Sequence, residues 1–137
     1  MSEQEDLALI RDFVLAWNEG GVSADGAARF LHPDVEWINP PEMPGGGTHI
    51  GKDALLTFLR EWEGTMGILS MSFQIEEIIP ANGEYLVITV ATGTSESGVV
   101  FPPQNWFHLI RIEDRLLRRA RLLFDRAEAL EAAGLRE

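Results

Sequence analysis

Apolar positions recur along this chain at two spacings, one helical in the first half and one extended in the second. Leu7, Ile10, Val14 and Trp17 fall three or four residues apart, the stripe of an amphipathic helix, and Phe13 lies beside them. Asn18-Glu19-Gly20-Gly21 supplies a stop, so the spacing predicts a helix over 4–18. Ser23 or Asp25 can cap a second, shorter helix through Ala27, Ala28, Phe30 and Leu31. It ends before Pro33, because the residue preceding a proline is pushed out of the α region. Val35, Trp37 and Asn39 then alternate with Asp34, Glu36 and Ile38, the period of a strand with one face turned inward. That face presents a large aromatic and an amide. Pro40-Pro41 and Pro44-Gly45-Gly46-Gly47 forbid regular structure, after which Leu55, Phe58, Leu59 and Trp62 restart a helical stripe over 51–63 that closes at Gly64 or Gly67.

From residue 68 the period changes to two. Met71, Phe73 and Ile75 alternate with Ser70, Ser72, Gln74 and Glu76, and Asn82-Gly83 is a turn signal before a strand over 85–95. Val99-Val100-Phe101-Pro102-Pro103 reads as a connection. Trp106, His108, Ile110 and Ile112 then share one face of a strand, Glu113-Asp114 turns the chain, and 116–124 forms the last strand. Both faces of these strands carry apolar residues, which helices on one side and a second subunit on the other would cover; a homodimer built through the sheet is expected. Residues 125–133 predict a terminal helix, with Gly134 as a left-handed cap and Leu135 as its apolar contact.

These elements fit a single domain over 1–137, long enough to bury on the order of two thirds of its unfolded surface. A net charge of −11 repels phosphate backbones and anionic lipid, and excludes nucleic acid as an expected partner. The chain has no cysteine, so disulfide and thiolate chemistry are both absent. Its first residues are acidic where a signal peptide needs a basic start, and no apolar run approaches the ~20 residues of a membrane span. The expected location is cytoplasmic, without membrane contact.

The order of parts, and several short runs of residues, resemble the nuclear transport factor 2-like superfamily and its polyketide-cyclase-like (SnoaL-like) branch. The matching runs are Trp17-Asn18, Phe30-Leu31-His32-Pro33-Asp34-Val35-Glu36-Trp37, Gly51-Lys52-Asp53-Ala54-Leu55, and Phe124-Asp125-Arg126 with the Ala129 to Leu135 tail. The resemblance implies an α+β fold: a cone-shaped, curved, mostly antiparallel sheet packed on N-terminal helices (the cystatin-like or nuclear transport factor 2-like α+β barrel), with a pocket at one end and a dimer through the sheet. It also implies that Met43 to Gly47 lie close to the pocket mouth. The superfamily includes isomerases, cyclases, dehydratases, epoxide hydrolases and non-catalytic binders.

Trp17, Trp37, Trp62 and Trp106 sit on four elements that would converge inside such a cone, and Phe13, Phe30, Phe58 and Phe124 extend the set of expected ligand-lining rings. Each indole offers a broad apolar face and one donor, which suits a flat apolar ligand; the alternative is that these rings simply fill the core. His108 faces the same way as Trp106 and could act as a general acid or base, be a neutral imidazole satisfied by a backbone or side-chain partner, or lie on the dimer face. Asn39 stands where the related ketosteroid isomerases carry a proton-shuttling carboxylate, and an amide has no proton to exchange at pH 7. Their oxyanion-binding tyrosine would fall near Phe13, and no carboxylate occurs at 105–107 for their second donor. Epoxide-hydrolase relatives use an Asp-Arg-Asp array inside the cone; Arg119, Arg121, Asp125, Glu76 and Glu77 offer the residue types, with surface ion pairs as the alternative.

Gly46-Gly47-Thr48-His49-Ile50-Gly51-Lys52 imitates a phosphate-binding loop, but Asp53 replaces the hydroxyl residue and no apolar strand precedes it. His32, His49 and His108 lie on three elements without paired spacing, so no metal is expected, nor any cofactor. The leading expectation is a cyclase, isomerase or dehydratase acting on an apolar, cyclic metabolite, with His108 and Asn39 as the candidate catalytic residues and one or the other polarising an oxygen. A non-catalytic binder of the same fold is the first alternative, and a dimeric interaction module without ligand the second.

Overall fold

Among the described residues, a six-stranded mixed sheet, curved and unclosed, carries three α-helices. The computed structural model describes residues 2–20, 26–43 and 45–135. The order of elements is α1 (Glu3–Gly20), a 3-10 turn (Ala27–Phe30), β1 (Leu31–Asn39), β2 (Gly47–Ile50), α2 (Lys52–Met66), β3 (Ile68–Ala81), β4 (Glu84–Ser95), β5 (Val100–Glu113), β6 (Leu116–Leu123) and α3 (Arg126–Ala132). In space the strands run β2-β1-β6-β5-β4-β3. Only β1 and β6 are parallel, and every other neighbouring pair is antiparallel.

Sequence periodicity and tertiary packing agree at most helix ends. Gly67 ends α2 in the left-handed region at φ 63°, and Gly134 does the same after α3 at φ 75°, both conformations that a side chain disfavours. Leu135 N–H closes the α3 cap on the Leu130 carbonyl at 2.8 Å, and Asp125 caps the helix start by accepting from Ala127 N–H at 3.1 Å. Asn82-Gly83 makes the β3–β4 turn with both residues at positive φ. Ser23 and Asp25, the expected caps of the second helix, lie outside the described residues.

Three expectations are corrected. The second helix is a single 3-10 turn, and Pro33 sits inside β1. The glycine-rich loop contains a strand: Gly47 to Ile50 pair with Asn39 to Glu36, so the backbone that imitates a phosphate loop is committed to a sheet. Val99 to Pro103 is largely strand as well, because β5 starts at Val100. Its two prolines fit there since the β4–β5 register shifts between Ala91 and Gly93, opposite them, and β6 pairs with β5 only from Phe107 onward. A bulge on one side and a free edge on the other demand no ladder N–H from either proline.

The sheet has two apolar faces with different covers. Its concave face meets α1 and α2 in a core that includes Ile10, Val35, Leu55, Val87, Ala120 and Leu122. On the opposite face Leu86, Ile88, Phe107, Leu109 and Leu123 pack with Ala129, Leu130 and Ala133 of α3. The second apolar face read from the sequence is thus covered, in this region, by the chain's own C-terminal helix.

Two side-chain links fasten α1 to the sheet. Tyr85 on β4 donates its hydroxyl to Asp6 at 2.6 Å, and burial, together with that carboxylate, pushes the phenol up to about 12. At the other end of the helix the Asn18 amide donates to the Phe73 carbonyl and accepts from the Phe73 N–H, each at 2.8 Å. It pairs with the backbone of β3, the edge strand, as a neighbouring strand would.

Candidate functional site

Between the concave face and the helices lies a cavity of about 50 Å³. Each bordering element supplies lining residues through its own periodicity: Phe13, Val14 and Trp17 from α1, Trp37 and Asn39 from β1, Leu59 and Trp62 from α2, Met71 and Phe73 from β3, Val87 and Thr89 from β4, Trp106, His108 and Ile110 from β5, Leu122 from β6, and Met43 from the loop after β1. The walls are aromatic and aliphatic. Polar side chains enter at three places: Asn39, Thr89 and His108.

Asn39 is 3% exposed. Its Oδ1 accepts from Trp37 Nε1–H at 3.1 Å, and because an indole nitrogen can only donate, the contact assigns the amide orientation. The Asn39 Nδ2 is buried without any protein partner. A buried amide donor left in that state costs roughly 1–3 kcal/mol, so it marks a place for an acceptor. Thr89 is spent structurally, its hydroxyl donating to the Trp106 carbonyl at 3.1 Å.

His108 is surrounded by rings. The imidazole lies 6.0 Å from Trp37, 6.1 Å from Phe73 and 6.2 Å from Trp106, measured between centroids. The ring is half-buried and lines the cavity. Burial lowers its pKa to about 4, as desolvation penalises the charged form and no carboxylate among the lining residues compensates it. At neutral pH the ring is uncharged, with one nitrogen able to accept and the other to donate.

Of the ten site residues expected from sequence, Phe13, Trp17, Trp37, Asn39, Trp62, Trp106 and His108 line the cavity. Phe30, Phe58 and Phe124 do not, and each is a ring in the layer behind. Phe30 stands edge-on to Phe13 at 6.4 Å, and Phe124 edge-on to Trp106 at 5.1 Å. Phe58 stacks on His49 at 4.3 Å, facing β2, while Leu59, one residue on, turns inward. A helical stripe wide enough to be buried spans about 100°, so periodicity marks all of its residues as inside without ranking them by depth. Met71, Phe73, Val87 and Thr89 were absent from the expected set although strand alternation puts each pair on one face; the alternation lacked only the knowledge of which face is concave.

The acidic and basic residues do not converge inside. Arg119 pairs with Glu36 at 3.6 Å and Glu84 at 3.7 Å, Glu76 accepts from Asn105 at 2.8 Å, and Asp125 caps α3. None lines the cavity. His32, Glu113 and Asp114 gather within 4.8 Å at the surface, a set of metal-ligand types. However, His32 Nδ1 accepts from Asp34 N–H at 3.0 Å, so in the neutral ring the proton is on Nε2, which points at Asp114. That nitrogen is a donor there and not a ligand.

The fold and this aromatic-lined cavity define a small-pocket α+β cone of the nuclear transport factor 2-like kind. Residues 10–120 match the SnoaL-like domain, and the chain belongs to that family. A nuclear transport factor 2-like protein of unknown function from Burkholderia pseudomallei is similar at 25% identity, over 97% of this chain and 98% of that one, with a TM-score of 0.76. TerC, crystallised with polyporic acid, is similar in fold at 22% identity, covering 94% and 97%, with a TM-score of 0.75. A protein of ketosteroid isomerase-like fold from Catenulispora acidiphila, in complex with trimethylamine, aligns at 14% identity over 93% of each chain, with a TM-score of 0.68. No curated protein matches the sequence. Among the described residues no helix is long and apolar enough to cross a membrane.

Proposed function

We propose that the cavity holds the polar end of a small, uncharged, largely apolar molecule and that the protein is an isomerase- or cyclase-type enzyme acting beside a carbonyl. The observation that carries this reading is the unpartnered, buried Asn39 Nδ2 in the same aromatic chamber as an uncharged His108. A carbonyl oxygen fits the amide donor. A neutral imidazole can then remove a proton from the adjacent carbon: the C–H bond breaks, an N–H bond forms on His108, and the electron pair moves into a C=C bond as the oxygen gains negative charge. Asn39 N–H stabilises that oxygen, and return of the proton to a different carbon completes an isomerisation. With a pKa of about 4, His108 has the base strength of a carboxylate, near ~4, the kind of group that occupies position 39 in the ketosteroid isomerases. The aromatic and aliphatic walls favour the transfer because the low dielectric around them strengthens the hydrogen bond from the amide to the charged oxygen.

Incubating the protein in D2O with cyclohexenones and following deuterium uptake next to the carbonyl by NMR tests the reaction. Protein-dependent exchange that is lost in His108→Gln supports it; binding with no exchange supports storage without turnover. A second reading rests on the size of the cavity, about 50 Å³, and its rings, which suit a compact organic cation held over aromatic faces. The relative in complex with trimethylamine supports that alternative, whereas the inward-facing Asn39 donor opposes it. Calorimetry with trimethylamine against cyclohexenone separates the two.

A further inference from the structure

Trp62 and Met71 line the inner cavity and also each of two grooves outside it. One groove, of about 250 Å³, runs over Asn18, Glu63, Ser70 and Ser72. The other, of about 210 Å³, runs over Met66, Ile68, Phe101 and Pro102, and shares Trp106 with the inner cavity. One layer of side chains therefore divides a chamber of about 50 Å³ from spaces four to five times larger. By itself the chamber is small: an apolar cavity of roughly 150 Å³ is what accepts a benzene ring.

The surface at this end of the sheet is unusually apolar. Met66 at 46% exposure, Leu69 at 68%, Val99 at 58% and Val100 at 72% are four of the six exposed large hydrophobic side chains among the described residues. They are brought together because Thr94 pairs with both Ser70 and Val100, and Ser95 with Ile68, next to the end of α2. Of these, Met66 lines the second groove and Leu69 the first, so exposed apolar side chains stand at both openings, as at binding sites. The β3–β4 register also shifts between Ile68 and Ser70, and the β4–β5 register between Ala91 and Gly93. Both irregularities fall at this rim, while Met71 is the most adaptable side chain in the partition.

We propose that Trp62 and Met71 form a size-selecting partition: the ligand sets its acceptor oxygen at Asn39, passes between these two side chains, and lays its apolar remainder in the groove between Met66 and Phe101. The ligand class is a neutral amphiphile with one carbonyl or hydroxyl end and an apolar body too long for the inner chamber. This rests on the reading of the inner cavity given above and names its substrate class. The second groove is preferred to the first on chemical grounds. An apolar body over Glu63 would strip water from a carboxylate whose pKa burial already raises. The floor of the first groove is also pinned by the Asn18–Phe73 pairing.

The test is a series of 2-alkanones from butan-2-one to dodecan-2-one, titrated by calorimetry into the wild-type chain and Gln104→Trp. Gln104 is an exposed residue of the second groove that is absent from the inner lining. Affinity is expected to rise about fourfold per added methylene over several carbons, as apolar surface leaves water. Gln104→Trp is expected to weaken the long ketones tenfold or more and leave butan-2-one unchanged. Affinity independent of chain length, or a Gln104→Trp protein that binds long ketones as the wild type does, overturns the partition while short-ketone binding preserves the inner site. Absence of binding at every length overturns both. The wild-type series needs no variant, so the proposal stands or falls even if the substitution disturbs folding.

Discussion

Trp37 Nε1–H donates to Asn39 Oδ1 at 3.1 Å, a hydrogen bond between residues on the same face of β1 and two positions apart. The bond occupies the acceptor half of the amide and leaves the donor half buried without a protein partner, on a residue that lines the cavity. Removing the amide in Asn39→Ala should strand the indole N–H in a buried site and lower stability by about 1–3 kcal/mol. Urea denaturation monitored by tryptophan fluorescence measures this. Ketone affinity should fall by roughly tenfold, the loss of one hydrogen bond of about 1.4 kcal/mol.

Acid should destabilise the protein through His108. Its folded pKa of about 4 lies below the ordinary value near 6.5, so between those values the unfolded chain binds the extra proton and the folded one does not. Stability therefore rises with pH across pH 4 to 6.5 and is lost as pH falls through that window, by about 3 kcal/mol in total. His108→Phe should flatten this segment of the stability profile, read from urea midpoints at pH 7, 5.5 and 4.5.

Gly93 should not accept a side chain. A Cβ there would fall on the Ser70 carbonyl oxygen and within 3.2 Å of Met71 Cα, both backbone atoms that cannot turn aside. Gly93→Ala should cost about 1–3 kcal/mol, the range for overpacking, and lower the thermal midpoint. Gly64, which meets nothing within 4 Å, serves as the control: Gly64→Ala within α2 should be neutral or stabilising.

Asn18 should protect an edge that it does not belong to. Asn18→Ala removes both bonds to Phe73 at about 1–2 kcal/mol, and amide exchange at Phe73 should accelerate while that of β5, in the middle of the sheet, stays slow. Uniform acceleration across the sheet would show that the pair supports global stability and not the local edge.

The alternation of Val35, Trp37 and Asn39 was sufficient to place an indole and an amide on one face, because side chains on a strand have no other choice. The stripes of α1 and α2, the Asn82-Gly83 turn and the Gly134 cap were legible for the same reason: each is set by residues close together in the chain. Pattern could not say that Phe58 looks toward β2 while Leu59 looks into the cavity, nor that Met71 and Trp62 stand in a shared wall. Those depths depend on how far the sheet curves and which strand lies opposite, and curvature is the sum of bulges and pairings between distant segments. The prolines at 102 and 103 entered a strand because a bulge and an open edge excused them from the ladder, and α3 took the second apolar face. The sequence by itself determined which side chains go inside; only the tertiary structure decided which of them enclose space, because an empty volume is a property of all its walls together and of no single stretch of chain.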